Sequence, residues 1–375
     1  LDTLCGVKHG LQKQIQLQNR YLKMVELEAL VAQSALNLLP DNVVSLLLEL
    51  VPANQLGELA QHCVGVEHLS GGLSNQNYLL KCQFEQVQKS QVLRVNQADA
   101  VWCSRQDEVA SWRHAQEKAI APKLHFYSDN YEIYLSDFIT ETTPWNKAYH
   151  EYGVNTPRQS ELLIGTSKSQ PVMQLLNVLK VLSTLPLPEK KVSIQQQWQE
   201  YQLQLTDSFQ YQTAEWQHCF KQINNQSEMV KQWFYALEEC LIAPTFCHRD
   251  LTPFNLLLNT SGYQSADLAK LICIDFEYAA TSHPLVDLAS ILATHSLSTQ
   301  QTDTLLQAYF QWQAQTASPS LNDNAAKCVA YAINCYWLFC AMWALLMARD
   351  NRQSFQPLYH RYYSLIDFSS PQIRT

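Results

Sequence analysis

The spacing of apolar residues changes character along the chain, and each change predicts a different kind of element. Residues 1–60 place Val25, Leu27, Leu30 and Val31, then Leu46, Leu47 and Leu50, at helical spacings with a break at Leu39-Pro40-Asp41. That pattern predicts two or three short helices. From Val64 onward the runs become short and β-leaning. A Gly71-Gly72 turn leads into Asn77 to Cys82, and Gln91 to Val95 follows. Glu108 to Glu117 returns to helical spacing, with Val109, Trp112 and Ala115 on or near one face. Lys123 to Tyr127 and Glu132 to Ile139 then read as two more strands. Strand, strand, helix, strand, strand makes a small α+β lobe. After Thr140 the spacing is mainly helical, through Met173 to Leu182, Gln195 to Tyr211, Glu228 to Leu241, Pro284 to His295, Gln300 to Thr316 and Ala325 to Met347. The exception is a pair of apolar runs, Leu256 to Leu258 and Leu271 to Ile274, separated by the turn-rich Asn259 to Ala266. The expected division is a helical extension over residues 1–60, a small lobe over 61–140 and a larger helical lobe over 141–375.

Composition narrows the classes of function. Charged residues make up 16% of the 375 positions, and 40 Gln take much of the polar surface. With 26 Lys and Arg against 34 Asp and Glu, the chain lacks the basic surface that counterion release requires, so a nucleic-acid partner is not expected. The 11 Cys show no CxxC pair or zinc spacing, which argues against a disulfide framework and for a reducing compartment. The first twenty positions carry Lys8, Lys13 and Arg20 and lack the apolar run of a secretory signal, so a cytoplasmic location is expected. Val329 to Ala348 has no formal charge and is long enough to span a membrane. Asn334 and the aromatic residues spread through its middle favour a core helix, because aromatic anchors prefer the membrane interfaces. No membrane partner is expected.

The sharpest chemical signal is Cys247-His248-Arg249-Asp250-Leu251-Thr252-Pro253-Phe254-Asn255. About 25 residues after Asp250 comes Ile274-Asp275-Phe276-Glu277, in the order in which kinase-type phosphotransferases place base, second metal ligand and first metal ligand. Phosphoryl transfer needs a carboxylate to orient and deprotonate the incoming hydroxyl, and oxygen ligands for Mg²⁺ on the phosphates. Asp250 can serve the first need; Asn255 and Asp275 can serve the second. Upstream, Ser70-Gly71-Gly72-Leu73-Ser74-Asn75-Gln76-Asn77 lies between strand-like runs, where a phosphate-cradling loop would sit, although it is neither a GxxxxGK[ST] nor a GxGxxG sequence. Arg94 on the next strand can hold phosphates, and Glu108 can orient that cation.

These stretches resemble the choline kinase and aminoglycoside phosphotransferase superfamily, from about Val64 to about Tyr363. LSGGLSNQNYLL is similar to its nucleotide loop, VLRV to the strand with the phosphate-binding base, CHRDLTPFN to its catalytic loop and IDFEYAATSHPLVDLA to its metal-binding segment. The resemblance implies a protein-kinase-like bilobal fold with a small β-sheet lobe and a larger helical lobe. It also implies ATP- and Mg²⁺-dependent phosphorylation of a small-molecule hydroxyl. By position it implies Asp250 and His248 in the catalytic loop, Asn255 and Asp275 on Mg²⁺, and Arg94 paired with Glu108. Nucleotide contacts are implied for Ser70, Gly71, Gly72, Leu73, Ser74, Asn75 and Asn77, with adenine held by backbone near Asp137 to Ile139. Arg249 makes the catalytic loop read as in protein kinases, yet no DFG or APE follows, so protein-kinase activity is disfavoured.

Substrate contacts are expected from Glu277 and Asp287, and from Tyr336, Trp337 and Trp343 of the last long helix, where Tyr336, Phe339 and Trp343 share one face. Aromatic faces attract quaternary ammonium, and choline kinases carry an aromatic box on a late helix. Here Cys340 stands one turn before Trp343, where a second Trp would be expected. Core packing is the competing reading for that helix, and a helix N-terminal cap is the competing reading for Asp287. A small cationic alcohol is the expected acceptor, choline or ethanolamine first. Thiamine, an aminoglycoside and a nucleotide-binding pseudoenzyme are the alternatives. Residues 1–60 could brace the small lobe, cover the cleft edge or form a homodimer contact.

Overall fold

The computed structural model describes residues 24–70, 75–97, 103–141, 144–149, 170–259 and 270–369. It divides into two compact units, residues 1–103 with 122–139, and residues 104–121 with 140–375. The helix expected in the small lobe therefore groups with the second unit.

In the first unit, helix α1 (24–33), α2 (Asp41–Leu50) and α3 (Ala53–His62) precede five strands. These are β1 (Cys63–Leu69), β2 (Asn75–Phe84), β3 (Val87–Asn96), β4 (Leu124–Tyr127) and β5 (Ile133–Asp137), ordered β1-β2-β3-β5-β4 in one antiparallel sheet. Alternation explains the sheet's two faces. Tyr78, Leu80 and Cys82 share one face with Leu93, Val95 and Ile133, and their core continues into Val43 and Leu47 of α2 and Leu56 and Leu59 of α3. The N-terminal helices thus cover one face of the sheet, which answers what residues 24–60 do. The other face carries Asn77, Arg94 and Tyr134, which lie opposite one another in the ladder.

The second unit contains α4 (Arg105–Glu117), α5 (Trp145–Tyr149), α6 (Gln170–Leu182), α7 (Ile194–Ser208), α8 (Ala214–Asn224) and α9 (Ser227–Cys240). It continues with α10 (Leu285–Thr294), α11 (Thr299–Gln315), α12 (Val329–Met347) and α13 (Arg352–Ser364). Two small antiparallel ladders join them, β6 (Thr245–Cys247) with β9 (Ala280–Ser282), and β7 (Leu256–Asn259) with β8 (Lys270–Cys273). The second ladder is the hairpin expected from the two apolar runs. Helices α8 and α13 were not legible as separate elements. In α13, Pro357 interrupts the pattern because it lacks the N–H that a helix interior uses.

Helix α12 forms the centre of this unit. It is the one segment among the described residues long and apolar enough to cross a membrane, and 61% of its apolar window is buried inside the protein. Asn334 in its middle exchanges two hydrogen bonds with the Asp367 backbone, at 2.9 and 3.0 Å. A buried amide satisfied in this way belongs to a folded core.

Candidate active site

The catalytic-loop residues lie between β6 and β7, and the metal-segment residues between β8 and β9. Pairing of β7 with β8 brings Asn255 beside Asp275: Leu256 faces Cys273, and the Ile274 N–H donates to the Asn255 carbonyl at 3.0 Å. The Asn255 side-chain amide donates to the Asp250 carboxylate at 2.7 Å and to the Asp250 carbonyl at 3.0 Å. Those bonds fix the amide with its oxygen as the acceptor that remains for a cation.

Two residues here hold left-handed backbone without being glycine, Arg249 at φ 69° and Asp275 at φ 65°. Such a conformation costs on the order of 1–3 kcal/mol and persists only when neighbours enforce it. Asp287, in the first turn of α10, supplies one restraint. Its carboxylate accepts from the backbone N–H groups of His248 (2.9 Å) and Arg249 (2.7 Å). Burial outweighs those donors and pushes the Asp287 carboxyl up to about 6. His248 supplies the other restraint, through the 3.0 Å bond between its Nε2 and the Ile274 carbonyl. Arg249 extends to the Tyr278 carbonyl and the Gln197 side chain of α7, at 3.2 and 2.8 Å.

The expected roles divide accordingly. His248 is sealed from solvent, and burial lowers its pKa to about 4. This neutral, enclosed ring is bonded to the Ile274 carbonyl, on the backbone just before Asp275. Asp287 is committed by both oxygens to the backbone of the same loop. Glu277 is 3% exposed and joins Glu108 around the Arg105 guanidinium, at 3.4 and 2.8 Å respectively. Trp337 stacks on Tyr362 of α13, with ring centroids 5.7 Å apart, and Trp343 meets Phe355 edge-on at 5.5 Å. Both indoles therefore pack against α13.

Asp250 lies among other acidic groups. Burial first, then the charges of Asp275, Glu277 and Asp287, push its carboxyl up to about 7, against the opposing bond from Asn255. Among the described residues no three His, Cys, Asp or Glu side chains form a metal cluster. The donors present are the Asn255 oxygen and the Asp275 carboxylate. Hard oxygen donors beside a group of carboxylates fit Mg²⁺, which binds through one or two protein ligands and completes its shell with phosphates and water.

On the first unit, Arg94 is 7% exposed, bonded through Nε to Asn96 at 2.7 Å and placed over the Tyr134 ring at 5.5 Å. Asn77 is its partner across the β2–β3 ladder, and Asn75 accepts from the Gln97 N–H at 3.4 Å. Ser70 follows β1, whereas Gly71, Gly72, Leu73 and Ser74 lie outside the described residues. In the stretch expected near adenine, the Asp137 and Phe138 N–H groups donate to the Lys123 and Ser90 carbonyls, and Ile139 follows them. The Asp137 side chain is bonded to His125 at 2.7 Å.

Four further side chains neighbour the site. Burial raises the phenols of Tyr278 and Tyr201; the charge of Glu277 and then Tyr201 add to the rise at Tyr278, while Arg249 opposes it at Tyr201. Gln197, one turn before Tyr201 on α7, reaches Arg249. Glu141 accepts from the Leu258 and Trp145 N–H groups, at 2.7 and 2.9 Å, and so anchors the hairpin. Only Tyr278 carried a usable clue, its place immediately after Asp275-Phe276-Glu277.

Comparison with known proteins places this architecture. Choline kinase LicA from Streptococcus pneumoniae superposes with a TM-score of 0.56 at 16% identity, covering 83% of this chain and 96% of that one. A choline/ethanolamine kinase family protein from Mesorhizobium loti gives 0.59 at 17% identity, covering 88% and 96%. Ethanolamine kinase from Plasmodium vivax gives 0.56 at 14%, covering 80% and 81%. These likenesses establish a protein-kinase-like α+β fold. Protein LicA of Haemophilus influenzae is 32% identical over 95 residues, which is 24% of this chain and 32% of that protein, so the match spans about a third of the curated relative's length. The profile of the choline/ethanolamine kinase family matches residues 66–309, nearly two thirds of the chain and including every residue from Arg94 to Asp287 discussed above, and the chain belongs to that family.

Proposed function

We propose that this chain transfers the γ-phosphoryl group of ATP to the hydroxyl of a small cationic alcohol, with choline and ethanolamine as the favoured acceptors. The observation that carries this reading is the hydrogen-bonded Asp250–Asn255 pair held beside Asp275 by the β7–β8 ladder. The names of the similar proteins support it: they include choline kinase LicA, ethanolamine kinase and a LicA complex with AMP.

In this reading Asp250 accepts the hydroxyl proton as the oxygen attacks phosphorus. Asn255 fixes the carboxylate's orientation while presenting its own oxygen with Asp275 to the metal. Bound Mg²⁺ would neutralise phosphate charge at that position. Asp287 and His248 hold the backbone on either side, and Arg94 supplies a cation for the phosphates. The acidic surroundings of Asp250 favour a cationic acceptor over an anionic one.

The test is ADP release from Mg-ATP with choline, ethanolamine, thiamine and an aminoglycoside, beside Asp250→Asn. Loss of a general base should lower kcat by about 10²- to 10⁴-fold and leave Mg-ATP affinity nearly unchanged. An Asp250→Asn variant that turns over normally refutes the assignment of the base. ATP binding without turnover on any alcohol would identify a nucleotide-binding protein instead.

A further inference from the structure

Helix α4 begins with a residue that its own backbone does not favour there. Ser104 caps the helix by accepting from the Asp107 N–H at 3.3 Å, which leaves Arg105 as the first helical residue. The dipole of a helix favours anions at that end and disfavours a cation, so the stabilisation of Arg105 comes from side chains. Its guanidinium donates through Nη1 to two carboxylates, Glu108 one turn on at 2.8 Å and Glu277, 172 residues further along the chain, at 3.4 Å. Both carboxylates are sealed, with side chains 0% and 2% exposed. Buried anions persist beside a fixed cation. A guanidinium, always charged and weakly hydrated, suits that enclosure.

Arg105 supplies one of three ties between α4 and the chain around Asp275, all within the second unit. Trp112, seven residues on and so on the same side of the helix, meets Phe276 with ring centroids 6.4 Å apart, and Phe276 also lies 4.8 Å from the His248 ring. Beyond the helix, the Ile120 carbonyl accepts from the Cys273 N–H at 2.7 Å. Asp275 itself stands at φ 65°, a conformation that relaxes unless its neighbours are held. Cys273 and Ile274 are held before it; Arg105 takes hold after it, on the Glu277 carboxylate. Resting on the kinase reading above, we propose that Arg105 is a positioning residue for phosphoryl transfer: by binding Glu108 and Glu277 together it fastens α4 to the segment that begins at Asp275 and keeps Asp275 in the conformation in which it serves as a metal donor.

Hydrogen exchange on the metal-free, nucleotide-free protein tests the tie without any turnover. Arg105→Gln removes the charge and shortens the reach. Exchange in the peptide covering Ile274 to Ala279 should then quicken by about tenfold or more, while a peptide from α12 is unchanged. Glu277→Gln removes the charge from the other end of the same contact with little change of volume, leaves Arg105 on Glu108, and should quicken the same peptide. It decides the matter if Arg105→Gln does not fold. Unchanged exchange at Ile274 to Ala279, or equal quickening of both peptides, overturns the proposal.

Calorimetric titration of ATP at several Mg²⁺ concentrations tests the consequence. The Mg²⁺ concentration for half-maximal ATP binding should rise by about tenfold or more in Arg105→Gln, with Arg105→Lys between that variant and wild type because it keeps the charge. ATP binding in EDTA should not change. A merely structural role would lower the unfolding temperature and leave the Mg²⁺ requirement where it was, and that result overturns the proposal. Wild-type protein that binds Mg-ATP while Arg105→Gln matches it removes the proposal alone. Wild-type protein that binds no Mg-ATP removes the kinase reading as well.

Discussion

His283 offers a perturbation whose size follows from its surroundings. It lies in the turn between β9 and α10, ahead of the Asp287 that clamps the catalytic loop, and is 5% exposed. Its Nε2–H donates to the Leu237 carbonyl at 2.9 Å, and its Nδ1 accepts from the Leu285 N–H at 3.1 Å. A neutral ring uses both nitrogens in this way; a second proton would face the Leu285 N–H. Burial, opposed by the Leu237 bond, accordingly lowers its pKa from 6.5 to about 4. Because the folded value lies below the unfolded one, this residue's contribution to stability does not change with pH above about 6.5. As the pH falls from 6.5 to 4 the unfolded chain takes up a proton that the folded chain refuses, and stability is lost. At about 1.4 kcal/mol per unit the loss reaches about 3 kcal/mol at pH 4 and then levels off. Asp250 and Asp287, whose carboxyls are raised, act in the opposite sense over an overlapping range. Comparison with His283→Gln removes their contribution. Urea unfolding of both proteins at pH 7, 6, 5 and 4.5 should show the wild-type advantage shrinking steadily toward acid. A difference between the two that is constant with pH would refute the reasoning.

Other perturbations probe other parts of the molecule. Asp275→Asn should raise the Mg²⁺ concentration needed for ATP binding by at least about tenfold; isothermal titration at several Mg²⁺ concentrations checks this, and unchanged affinity would mean that another acid holds the metal. Asp287→Ala leaves two buried N–H groups without their acceptor and should cost about 2–5 kcal/mol in urea unfolding, with a fall in kcat. Leu47→Ala empties a site 1% exposed in the core shared by α2 and the sheet and should cost about 2–5 kcal/mol. A cost near zero would show that the N-terminal helices do not brace the sheet.

Local order in the sequence carried the chemistry that depends on short spacings. Asp250 and Asn255 lie five positions apart, which is one loop, and the two apolar runs around a turn-rich stretch could close only as a hairpin that brings Asp275 alongside. The β-leaning runs after Val64 and the helical spacings after Thr140 were legible for the same reason, since period 2 and period 3.6 are properties of neighbouring residues. The N-terminal helices were legible as helices but not as the cover of a sheet face, because amphipathic spacing does not name the surface it packs on.

What only tertiary structure decided is which atoms of distant residues share a space. A histidine in a catalytic motif looks the same whether its ring faces substrate or, as His248 does, the Ile274 carbonyl. Asp287 could be read as a helix cap or a ligand until its carboxylate met the His248 and Arg249 N–H groups, nearly forty residues back along the chain. Trp337 and Trp343 could be read as an aromatic box or as core packing on the basis of α12 alone, and α13, hidden by its proline, is what their rings meet. Residue identity and spacing determine which interactions are available. Burial and competing partners determine which of them form, and both arise from the packing of the whole chain.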